Sequence, residues 1–113
     1  MKQEVTYMGL LDNLMGPDLR QGLAEYEKTP GAVLLDVRTP EEYAGGHIKG
    51  SRNLPLQTIT RVEDEIPEKD TPVFVYCQSG GRSRRAAMFL EKIGYADVKN
   101  IGGLAGYTGP LER

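Results

Sequence analysis

Between Thr71 and Gly94 the chain passes from strand to glycine loop to helix with almost nothing between them, and this unit limits the fold more than any other. Val73-Phe74-Val75-Tyr76 is a continuous apolar run suited to a strand buried on both faces. Cys77 stands at its carboxyl end. Gln78-Ser79-Gly80-Gly81 is too rich in glycine for either regular structure. From Arg82 to Ile93, Ala86, Ala87, Leu90 and Ile93 form one helical stripe, and Gly94 is a stop. A buried strand feeding straight into a helix is the repeating unit of parallel α/β sheets.

The rest of the chain has the same alternation. Leu19, Leu23 and Tyr26 fall at helical spacing after Gly16-Pro17-Asp18, and Thr29-Pro30-Gly31 ends that helix. Ala32 to Val37 reads as a second buried strand, Pro40 to Tyr43 as a short helical turn closed by Gly45-Gly46, and Arg52 to Leu54 as a brief extended piece. Ile59, Val62 and Ile66 are spaced for a helix, although the segment is β-branched. Val98 to Ile101 gives a last strand, after which Gly102-Gly103 turns the chain. At 113 residues the expectation is one α/β domain over 1–113, with 1–15 as an N-terminal extension.

Apolar stretches are only a few residues long, far short of the ~18 or more that span a bilayer, and the chain does not open on a signal peptide. A cytoplasmic location is the expectation. One Cys and one His exclude an internal disulfide and a thiolate–imidazole zinc site built by one chain, so no metal and no cofactor are expected. The net charge of −2 hides an asymmetry: residues 1–76 carry 8 basic and 13 acidic side chains, whereas 77–113 carry 6 basic and 3 acidic. There is no basic stripe with interleaved aromatics, which argues against nucleic acid. The surplus of positive charge after Cys77 favours small anions.

Free cysteine is usually an inert core residue. The surroundings of Cys77 reverse that reading. Glycines allow successive N–H groups of Gln78, Ser79, Gly80, Gly81, Arg82 and Ser83 to turn inward as an anion nest at a helix N-terminus. Such a site, with Arg82, Arg84 and Arg85 beside it, brings a thiol from about 8.5 into the range of about 3.5 to 7.5. The reading is a nucleophilic cysteine for anionic substrates. Loop length then separates chemistries: cysteine phosphatases place five residues between Cys and Arg, and here there are four, Gln78 to Gly81.

The six-residue loop Cys77 to Arg82 resembles the active-site loop of the rhodanese family of sulfurtransferases, and the resemblance extends along the chain. Leu34-Leu35-Asp36-Val37-Arg38, Pro40-Glu41-Glu42-Tyr43 and Gly46-His47-Ile48 through Pro55 are similar to the family's upstream signature, and Asn100-Ile101-Gly102-Gly103 to its closing segment. Tyr107 departs from the Trp common after the final glycines. The resemblance implies a rhodanese-like three-layer domain with a central, mostly parallel sheet of about five strands. It also implies sulfur transfer through a Cys77 persulfide, from thiosulfate or a persulfide to cyanide, a thiol or a protein acceptor, without cofactor, nucleic acid or membrane. The loop residues 78–83 would bind substrate. Asp36, Arg38, Glu42 and His47 would give structural support, the first two paired with one another's neighbours. Arg82 suits either donor binding or a carboxylate partner from the upstream signature. Glu63, Asp64, Glu65, Glu68 and Asp70 read as a solvated face. The rivals are a non-catalytic binding module of the same fold and a phosphatase or arsenate reductase on a related loop.

Overall fold

The computed structural model describes residues 16–113. Helix α1 (Leu19–Glu27) starts at Asp18, whose carboxylate accepts the Arg20 N–H at 3.0 Å. Its buried Gly22 lies against the Ile101 side chain, which leaves no room for a Cβ. Strand β1 (Val33–Asp36) and strand β3 (Val73–Cys77) are buried at every position, as the apolar runs Val33–Leu35 and Val73–Tyr76 require, and the buried Asp36 ends β1. Between them lie helix α2 (Pro40–Ala44), strand β2 (Arg52–Asn53), a 3-10 turn (Leu56–Arg61) and helix α3 (Val62–Glu65). Helix α4 (Gly81–Lys92) and strand β4 (Val98–Gly103) follow.

All strand pairs are parallel, in the order β2-β1-β3-β4. The chain leaves β1 toward one edge of the sheet and returns on the other side of it, so the crevice of this sheet opens at the carboxyl ends of β1 and β3. Asp36 ends one of these strands and Cys77 the other. Alternation along the strands fills two cores. Val33, Leu35, Val73, Val75 and Cys77 pack with Val62, Ala86 and Leu90 on one face. Leu34, Phe74 and Tyr76 pack with Leu19 and Ile101 on the other. Helices over both faces give three layers.

The described residues contain four strands, each at a segment the sequence marks, where about five were expected. Three boundaries differ from expectation. The segment of Ile59, Val62 and Ile66 is not one helix: Ile59 lies in the 3-10 turn, Val62 opens α3 and Ile66 ends it at φ −133°, yet all three apolar side chains are buried. Helix α4 begins one residue early, at Gly81. Strand β4 does not stop at Ile101 but runs on through Gly102-Gly103, because a bulge after Val75 shifts its register and Gly103 pairs with Cys77. The expected extension 1–15 lies outside the described residues. No described helix is long and apolar enough to cross a membrane.

Candidate active site

Cys77 ends β3 with no exposed surface. The next residues curl around its sulfur. The Gly80 N–H donates to Sγ at 3.0 Å, and the Ser83 hydroxyl lies 3.4 Å away. Gly80 caps α4 at φ +98°, a conformation in which any side chain would be strained, so the second glycine pair of the sequence has one obligatory member. Burial pushes the Cys77 thiol up, but hydrogen bonds from the Ser83 hydroxyl and from the backbone N–H groups of Ser83, Gly80 and Ser79 outweigh it, leaving the thiol below its ordinary value. This arrangement stabilises a thiolate and offers inward N–H groups to an added anion.

The rest of the loop is the mouth. Gln78, Ser79 and Gly81 are exposed and Gly80 half-buried. The Gln78 carbonyl is held by the Ala105 N–H at 2.9 Å and the Cys77 carbonyl by the Leu104 N–H at 3.0 Å, so the segment after β4 fastens the loop from behind. Arg84 and Arg85 are exposed on the first turns of α4. The flank at Ser79, Gly80 and Gly81 borders a cleft shared with Arg84, Lys99 and Asn100.

Arg82 meets Glu42 of α2 bidentately, at 2.6 and 3.0 Å. Glu42 also accepts the Thr39 N–H at 3.0 Å, while the Thr39 hydroxyl accepts the Glu42 N–H, a capping box that fixes the carboxylate for Arg82. The Arg82 guanidinium and then the Thr39 N–H hold the Glu42 carboxyl well down, from an ordinary 4.5 to about 2, against the opposing effect of burial. Because the folded value is the lower one, this pair stabilises the fold above 4.5, and the contribution disappears as the pH falls toward 2. We expect Glu42→Gln to flatten the loss of stability across that window, read as urea midpoints at successive pH values.

Asp36 and Arg38 pair with each other rather than with one another's neighbours, which corrects the expectation. Two residues apart at a strand end, they close on themselves: Arg38 Nη2 reaches Asp36 Oδ2 at 2.7 Å, its Nε reaches both oxygens, and its backbone N–H meets Oδ1 at 2.9 Å. The spare Nη2 proton goes to the Gly46 carbonyl at 2.7 Å. His47 stacks on Tyr43, centroids 3.7 Å apart, and donates from Nδ1 to the Tyr43 carbonyl at 2.8 Å. Its backbone bridges to Glu112. These contacts hold the turn after α2.

Two side-chain roles escaped the sequence. Ser83 enters the loop through its hydroxyl as well as its N–H, and Asn100 on β4 accepts that hydroxyl at 2.7 Å. The signal for Asn100 was its residue type, since asparagine is depleted in strands and one beside a glycine pair invites a polar task.

A family model described as the Rhodanese-like domain matches residues 19–109. The chain is 44% identical over 82 residues to the uncharacterized protein YqhL of Bacillus subtilis, a match covering 72% of this chain and 64% of that protein. It is 41% identical over 71 residues to the thiosulfate sulfurtransferase PspE of Escherichia coli, covering 62% and 68% of the two chains. Among solved structures, one described as a rhodanese with anions from E. coli superposes with a TM-score of 0.67 at 36% identity, over 73% of this chain and 98% of that one.

Proposed function

The chain belongs to the rhodanese-like domain family, and from that premise we propose that it is a sulfurtransferase in which Cys77 carries the sulfur. The Cys77 thiolate attacks the outer sulfur of thiosulfate or of a persulfide donor. A new S–S bond forms, the donor's S–S bond breaks, and with thiosulfate sulfite leaves with the electron pair. The negative charge then sits on the outer sulfur of the Cys77 persulfide, where inward N–H groups of the loop meet it. A thiophilic acceptor, either cyanide or a thiol, takes that outer sulfur and returns the thiolate. The carried group is the sulfur itself, so the cycle needs no metal or organic cofactor. A reducing compartment such as the cytoplasm would keep the lone thiol available.

The observation that carries this reading is the ring of donors about Sγ at the end of β3, with Gly80 N–H at 3.0 Å. Arg82 is engaged by Glu42, so donor binding falls to the loop amides, with Arg84 and Arg85 drawing anions toward the mouth. Intact mass after incubation with thiosulfate tests it. The expected spectrum shows one added sulfur atom that excess cyanide or thiol removes, and a protein that gains no sulfur from thiosulfate or from a persulfide donor would overturn the reading.

A further inference from the structure

We propose that Asn100 is a positioning residue that directs the Ser83 hydroxyl proton and, through that proton, governs the charge on the Cys77 sulfur. The Ser83 hydroxyl is fully buried, so its partners are those of the protein. It has one proton and four neighbours that would accept it: Asn100 Oδ1 at 2.7 Å, the Gly80 carbonyl at 3.1 Å, the Gly102 carbonyl at 3.4 Å and Cys77 Sγ at 3.4 Å. Asn100 offers the shortest bond. Its amide is oriented by its other contacts, because Oδ1 accepts the Gly102 N–H at 3.1 Å while Nδ2 faces the Gly80 carbonyl at 3.5 Å. The oxygen therefore points at Ser83.

A hydroxyl whose proton is committed to Asn100 turns a lone pair to the sulfur and favours S–H. To stabilise the thiolate it must rotate and give up its shortest hydrogen bond. Asn100 thus competes with the sulfur for a single proton and keeps the thiolate more basic than Ser83 and the loop amides alone would leave it. A thiolate that is stabilised too far is a poorer nucleophile. After sulfur is added, the charge moves to the outer atom and the hydroxyl turns back to Asn100. That last consequence rests on the sulfur-carrier reading above, whereas the competition for the proton does not.

The test reads the Cys77 thiol directly, as the rate of alkylation by iodoacetamide against pH. Asn100→Ala should lower the midpoint by about half a pH unit, the scale of one neutral hydrogen bond. Asn100→Asp keeps the accepting oxygen, adds charge and should raise it. In a Ser83→Ala background, Asn100→Ala should add no shift and the rise from Asn100→Asp should shrink. The other charged groups around the loop stay as they are in each variant: Arg82 with Glu42 from α2, Asp36 with Arg38 at the end of β1, Lys99 of β4 with Glu25 of α1, and exposed Arg84. An unchanged or raised midpoint for Asn100→Ala, or equal shifts with and without Ser83, would overturn the proposal. Should Asn100→Ala fail to fold, Asn100→Asp decides, and an unchanged or lowered midpoint, or a rise of full size in the Ser83→Ala background, overturns it. No sulfur transfer enters this readout, so a parent protein that forms no persulfide would refute the function and leave this result standing.

Discussion

Cys77→Ser should lose sulfur transfer by at least about 10³-fold, because a serine hydroxyl at neutral pH is neither ionised nor thiophilic and no S–S bond can form on it. The added mass seen with thiosulfate should vanish with it. The fold should survive. The serine oxygen is slightly smaller than sulfur and can accept the same Gly80 N–H that meets Sγ at 3.0 Å, so a thermal midpoint within a few degrees of the parent is expected. Thiocyanate formation from thiosulfate and cyanide measures the first effect and a thermal melt the second. Transfer retained in a well-folded Cys77→Ser protein would show that the loop holds no sulfur.

Gly103→Ala should do the larger structural damage, in the absence of any φ strain at that residue. Its ideal Cβ would overlap the Gln78 carbonyl and the Ser79 nitrogen, both backbone atoms of the loop that cannot swing aside like the end of a side chain. Either β4 withdraws from β3, loosening the Leu104-to-Cys77 and Ala105-to-Gln78 hydrogen bonds, or the loop leaves its curl around the sulfur. The cost of such overpacking is about 3 kcal/mol, a fall of roughly 10 °C or more for a chain of this size. The Cys77 alkylation midpoint should rise toward the ordinary cysteine value of about 8.5. Gly106→Ala is the control, since its φ of +80° strains a side chain but nothing lies within 4 Å; it should cost only about 1 kcal/mol and leave the thiol unchanged.

These two substitutions mark the boundary of what the amino-acid order makes legible. The curled loop around Cys77, the proposed nucleophile, was legible because its neighbours in sequence are also its neighbours in space: Tyr76, Cys77, Gly80 and Ser83 lie within one strand–loop–helix unit. The same holds for Asp36 and Arg38, although their closing on each other depended on backbone geometry that spacing alone leaves open. Arg82 is the opposite case. Its partner Glu42 is 40 residues away, and one-dimensional pattern could frame the choice between anion and carboxylate without resolving it. Gly102-Gly103 read locally as a turn, since two glycines weaken a strand. Pairing with the end of β3 makes them strand residues, and the close approach of Pro17 to Gly102 and of the Gln78–Ser79 backbone to Gly103 requires glycine at both, a demand set by remote segments. Ser83 and Asn100 follow the same rule, each an ordinary polar residue until β4 comes alongside β3.

The supports of the cysteine loop therefore come from remote parts of the chain: Glu42 on α2, Asn100 on β4, and Leu104 and Ala105 beyond it. In the unfolded chain Cys77 is a thiol of ordinary reactivity, and because parallel pairing brings together distant segments, such contacts close late and slowly. The acquisition of a perturbed thiol thus times the docking of β4 onto β3, and brief alkylation pulses during refolding would follow that step at a single atom of the native protein.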